Sequence, residues 1–234
     1  MKKVLFSVLL CCSMITAFGH ALWIETAVTG KKGQTQEVKV FLGEYGENQR
    51  DSIQHWFSNM KDFSLYLIDP SGNKTKLECQ PAGNYFKATF TPQQDGAYVL
   101  YIDHTVQEVY GGSKIRYYAQ GIVEVNHANG LANLQQNEFV LQTSGVAAKK
   151  VHTPEQVALV HKTKTTLPKA ELTVLSPAGW SKKLDASKAI TYVPVESGRY
   201  LLEGTFIEEE KGQHEGKPFE RIWHCVTYCK DVTK

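Results

Sequence analysis

Apolar and polar positions alternate in short runs along most of the chain. Glu37–Leu42, Phe63–Ile68, Tyr85–Phe90, Ala97–Ile102 and Ile115–Val125 are rich in Val, Ile, Tyr and Phe, and Gly, Pro, Asn or Asp clusters bound each of them. This pattern predicts strands at the spacing of antiparallel sandwiches. Leu22-Trp23-Ile24 predicts a first strand. In the last one, alternation places His224, Val226 and Tyr228 on one face and Cys225, Thr227 and Cys229 on the other. Thr153-Pro154-Glu155 is the one helical start signal, a capping residue followed by Pro at the first helical position, and it predicts a turn or two.

An internal repeat organises these strands. Leu65-Tyr-Leu-Ile-Asp-Pro-Ser-Gly72 matches Leu172-Thr-Val-Leu-Ser-Pro-Ala-Gly179. Further on, Thr89-Phe-Thr-Pro-Gln-Gln-Asp-Gly-Ala-Tyr-Val-Leu100 matches Thr191-Tyr-Val-Pro-Val-Glu-Ser-Gly-Arg-Tyr-Leu-Leu202. Each copy ends a strand in a Pro-x-Gly turn and later enters another through Pro-x-x-x-Gly-x-Tyr. The Gly-x-Tyr step resembles a tyrosine corner, whose phenol bonds back to the backbone just before a late strand. The expected fold is therefore all-β: two tandem immunoglobulin-like or prealbumin-like sandwiches, residues 20–126 and 138–234, each with its own core. The polar stretch 127–137 would link them.

Residues 1–19 lie ahead of these units and read as a secretory leader. Lys2 and Lys3 open it, an apolar run from Val4 to Phe18 follows, and small residues come at Ala17, Gly19 and Ala21. That run is shorter than the roughly 20 residues of a membrane span, and no later one approaches that length. Two cuts compete, one before His20 and one after Ala21. Over the full chain 26 Lys and Arg stand against 24 Asp and Glu. Loss of Lys2 and Lys3 balances these counts, so the mature chain offers no electrostatic footprint for nucleic acid or anionic lipid. Aromatic residues at 11% argue against disorder. The reading is a periplasmic or secreted protein.

Candidate chemistry rests on histidines. No nucleophile elbow, phosphate loop, dinucleotide fingerprint or His-Glu-x-x-His helix occurs. A cut before His20 would free an α-amine that can chelate a metal together with an imidazole nitrogen, an arrangement suited to Cu(II) or Ni(II). His104 closes a strand in Tyr-Ile-Asp-His-Thr, where loops converge. His214 belongs to the hairpin before the last strand, and His224 to that strand. The four residues His20, His104, His214 and His224 are the candidate metal ligands. His55 could also reach such a site, whereas His127, His152 and His161 read as ordinary solvated residues. Of the mature cysteines, Cys225 and Cys229 lie about 13 Å apart on an extended strand, too far to bridge. Any disulfide should join Cys79 to one of them.

The opening His20-Ala-Leu-Trp-Ile-Glu resembles that of the periplasmic nickel-uptake component family (NikM-like proteins carrying a domain of unknown function). The resemblance continues through Gly96-Ala-Tyr-Val-Leu-Tyr-Ile-Asp-His104, Tyr117-Tyr-Ala-Gln and Gly216-Lys-Pro-Phe-Glu-Arg-Ile-Trp-His224. It implies two sandwich-like domains and a non-enzymatic role in handling a divalent transition metal (nickel, cobalt or copper), with a membrane metal transporter as partner. His20 and His104 carry over most directly. Two other readings compete. One is a copper-dependent oxygenase with an N-terminal histidine site. The other is a glycan- or protein-binding sandwich module using aromatics such as Trp56, Phe57 and Trp180. Fold alone does not choose among them.

Overall fold

The computed structural model describes residues 20–234; the expected leader lies outside them. The first half of the chain forms β1 (Ala21–Thr26), β2 (Gln36–Gly43), β3 (Leu65–Ile68), β4 (Lys74–Leu77), β5 (Gln80–Pro81), β6 (Phe86–Phe90), β7 (Gly96–Thr105) and β8 (Ser113–Val125). In the second half the corresponding elements are β9 (Phe139–Thr143), β10 (Lys149–Lys150), β11 (Glu155–His161), β12 (Glu171–Leu175), β13 (Ser181–Asp185), β14 (Ile190–Tyr192) and β15 (Gly198–Glu208). The hairpin β16 (Gly212–His214) and β17 (Lys217–Phe219) then leads into β18 (Arg221–Thr233). The protein is an all-β sandwich fold, and each strand expected from alternation is present.

Both repeats build the same arrangement. A large sheet runs β13-β12-β15-β18-β8-β7-β3-β4, with β10 added beside β18. Its two halves meet where β18 pairs with β8 in parallel, Cys225 opposite Tyr117. A rotation about an axis along that seam exchanges the halves and turns the sheet over. The small sheet of the first half, β1-β2-β6-β5, accordingly lies on one face, and that of the second half, β14-β11-β9, on the other. Strands β7 and β8 are thereby buried on both sides. Tyr98, Leu100 and Ile102 pack with Leu22, Val38 and Val40. Ala97, Val99 and Tyr101 pack instead with Phe139, Leu172 and Tyr200 from the second half. The cores are not confined to their own halves as the repeat suggests. First strands also cross the seam: Thr227 Oγ1 donates to Leu22 O, and Gln120 Nε2 to Leu141 O. Residues 127–137 connect β8 to β9 and contain a 3-10 turn, Leu131–Gln136.

The repeated motif is a corner. The Tyr98 hydroxyl accepts from the Gln93 and Gln94 amides and donates to Gln94 O, each at 3.0 Å. Tyr200 makes the equivalent bonds to Glu196 N and O. Gly96 and Gly198 have φ of +132° and +136°, a region that excludes Cβ-bearing residues. A Cβ on Gly96 would come within 2.5 Å of Pro70, and one on Gly198 within 2.8 Å of Pro177. In each copy, then, the proline of the first motif packs against the glycine of the second.

Two expectations fail locally. Thr153-Pro154-Glu155 starts no helix: Glu155 begins strand β11, because Glu155, Val157 and His161 alternate into the interior and β9 and β14 pair on either side. Among the described residues Cys79, Cys225 and Cys229 are free thiols. Of the aromatics named for a binding surface, Trp56 is buried, whereas Phe57 and Trp180 are half-buried. Trp56 is 3% exposed and packs on Phe63 and Phe86, while Trp180 packs edge-on against Tyr200.

Candidate metal site and its surroundings

His20 precedes β1 at the edge of the seam, where the Tyr117 hydroxyl donates to its carbonyl at 3.1 Å. Residues 44–62, a long connection with three short 3-10 turns, wrap this end of the sheet. They bring Asp51 Oδ2 to 3.0 Å from His20 Nε2 and Glu44 Oε1 to 3.8 Å from Nδ1. Phe57 meets the ring edge-on at 6.2 Å between centroids. Carboxylates thus face both ring nitrogens, Asp51 within hydrogen-bond distance of Nε2 and Glu44 farther from Nδ1.

The same connection reaches His104. This side chain is buried on the β1-facing side of β7, and its Nε2 lies 3.2 Å from Asn59 Oδ1. Asn59 is oriented by the backbone: its amide donates to Thr105 O, and its oxygen accepts from Gln107 N. His104 Nε2 must therefore donate. Burial lowers the pKa of His104, which keeps it neutral. His214 stands just before the turn of its hairpin and donates through Nε2 to Val106 O at 2.9 Å. His20 and His104 thus both meet the 44–62 connection, whereas His214 meets Val106 just past β7.

His224 is not brought to them. It points to the opposite face of the sheet, stacked between Phe206 at 4.3 Å and Tyr118 at 5.9 Å. Both of its nitrogens are engaged, Nδ1 by the Tyr118 hydroxyl at 3.0 Å and Nε2 by Glu208 Oε2 at 3.1 Å. Burial, with nearby Arg116 adding to it, pushes its pKa down to about 3. Glu208 is also bound by Lys164; these bonds outweigh its own burial and hold the carboxyl below its ordinary value. The demand that His224 meet His20 at one ion fails because alternation puts them on opposite sides of the sheet. Sequence reading also missed His161. It is not solvated; its ring meets Phe206 and His224 edge-on at 5.5 and 5.6 Å. Its position as the inward-facing end of an alternating run was the available signal.

Among the described residues, no group of three or more His, Cys, Asp or Glu side chains is placed to hold a metal ion. Side chains alone therefore supply at most the His20 and Glu44 donors, and a third would have to be the His20 amine. No helix among the described residues is long and apolar enough to cross a membrane. No protein-family model matches the chain, and no curated protein matches it.

Proposed function

We propose that the exported, processed protein binds a divalent transition metal at His20 and serves in metal handling outside the cytoplasm. The α-amine and Nδ1 of His20 chelate the ion, and the Glu44 carboxylate lies on the same side. Asp51 holds the distal Nε2–H, the role that carboxylates play behind metal-bound imidazoles. That Asp51 contact carries the reading, since it engages Nε2 and leaves Nδ1, approached only at longer range by Glu44, as the nitrogen available to a metal. The nitrogen-rich donor set favours nickel or copper. Delivery to a membrane metal transporter rests on the resemblance of His20-Ala-Leu-Trp-Ile-Glu to the nickel-uptake component family. His104 and His214 are engaged with Asn59 and Val106 O, His224 faces the other side of the sheet, and none of the three is a ligand in this reading.

The test compares Ni(II) and Cu(II) titrations of chain beginning at His20 with the same chain acetylated at that amine. Acetylation removes the amine donor and should weaken binding by about a hundredfold. Equal affinity in the two proteins would refute the chelate. His224→Gln should leave affinity unchanged.

A further inference from the structure

The two halves provide an internal comparison. Aligned on Gly96-x-Tyr98 and Gly198-x-Tyr200, Tyr101 of the first half corresponds to Glu203 of the second. Tyr101 is sealed beneath β9, its hydroxyl donating to Phe139 O at 2.7 Å. The matching face in the second half stays open. Leu201 is buried with Trp23 and Phe41, but beyond it Glu203, Thr205 and Ile207 form, with β12, the floor of a cleft of about 860 Å³. Ile207 is 47% exposed. Pairing places Thr173 beside Glu203 in one cross-strand row and Glu171 beside Thr205 in the next. Tyr45, Glu47 and Tyr110 also line it, as does Trp223, which pairs with Ile207 across β15 and β18. The volume suits a small molecule.

The charges indicate which kind. Four carboxylates (Glu44, Glu47, Glu171 and Glu203) face two cations, Lys183 and Arg221. Both cations are engaged: Lys183 lies 3.7 Å from Glu171, and Arg221 donates to Ser113 Oγ and Gly111 O. Glu203 carries no hydrogen bond or ion pair among the described residues. Its burial, against a weaker opposing pull from Lys183, raises the carboxyl to about 7. The groups packed around it hold no compensating positive charge apart from Lys183. Cys225 and Tyr117, on the neighbouring strands, are themselves pushed up by burial and stay protonated.

We propose that this cleft binds a small organic cation, a protonated amine or guanidinium on an aromatic or apolar body. Glu203 receives the charged head through a charge-assisted hydrogen bond, and Trp223 with Tyr110 flanks the body. The cleft adjoins the His20 site and shares Glu44 with it, but Glu203 belongs to the cleft alone.

Tyramine is the probe, titrated by calorimetry into chelator-treated protein, with 4-ethylphenol as the same body lacking the amine. Tyramine should bind, and 4-ethylphenol should bind roughly tenfold to a hundredfold more weakly, the worth of one charge-assisted bond. Moving wild-type protein from about pH 8 to about pH 6 should weaken tyramine about tenfold as Glu203 takes up its proton. Because His20 lies at the rim beside Glu44, the pH series is repeated in His20→Gln, where the response should persist. Glu203→Gln should match 4-ethylphenol's loss; the pH series and the neutral analogue decide the matter even if that variant folds poorly. Equal binding of the two probes, binding of cellotriose but not tyramine, or no binding of tyramine would each overturn the proposal.

Discussion

Removing either member of the Lys230–Glu155 pair should cost about 3–4 kcal/mol, while removing both should cost about 2–3 kcal/mol less than the two single losses together. Both side chains are 0% exposed, and Nζ stands 3.8 Å from Oε2. Lys230 also donates to Gly145 O and Val146 O. Glu155 Oε1 accepts from the Ser144 amide and hydroxyl, whereas Oε2 has no hydrogen bond and depends on Lys230 and on Lys149 at 3.6 Å. At this separation two unit charges attract by about 4 kcal/mol at an effective dielectric constant of about 20. Glu155→Gln forfeits that attraction and presents an amide donor to an ammonium. Lys230→Met leaves a buried carboxylate with Lys149 alone. Each should lose about 3–4 kcal/mol, in the range found when a buried pair is broken. The double variant replaces the pair by groups that need no counter-charge, so the coupling energy should be about 2–3 kcal/mol. Urea unfolding near pH 7, followed by tryptophan fluorescence, measures all four corners of the cycle. Single losses below about 1 kcal/mol, or additive losses, would refute the electrostatic account.

Acid should destabilise the fold through its buried histidines. His224, held near 3, and His104 and His161, both lowered by burial, bind protons more weakly folded than unfolded. Their contribution is complete above about pH 6.5 and falls as pH drops toward the folded values; for His224 the loss is about 2 kcal/mol between pH 6.5 and 5. Glu203 acts in the opposite sense, its contribution being lost as pH rises from about 4.5 to about 7. The difference in urea midpoint between wild type and His224→Gln isolates the histidine, and a pH-independent difference would contradict this assignment. Gly96→Ala and Gly198→Ala should each cost roughly 2 kcal/mol or more, since both strain a positive φ and drive Cβ into proline. Thermal unfolding that shifts by less than the expected several degrees would show that the corners relax.

What the sequence disclosed follows the range over which each signal acts. Alternation gave the strands, and Gly-x-Tyr gave both corners, because these depend on neighbours a few residues away. The split of β18 into a His224 face and a Cys225 face was legible for the same reason. The parallel junction of β8 with β18 was not, since parallel pairing leaves only apolar richness on both faces. Glu155 was misread because a Thr-Pro-Glu start looks helical until Lys230, 75 positions onward, is placed against it. The contact of Asp51 with His20 likewise depends on a long connection without regular alternation. The face covered in the first repeat and open in the second carries Tyr101 in one and Glu203 in the other, an exchange that acquires meaning once the seam is known.

The most direct measurement of the central claim is the intact mass and metal content of the protein recovered from outside the cytoplasm, without chelator. The account predicts a chain that begins at His20 and carries one nickel or copper ion, which is lost when Asp51 is replaced by alanine or the amine is acetylated. A chain that begins at Leu22, or one that begins at His20 and takes up neither metal, would contradict it.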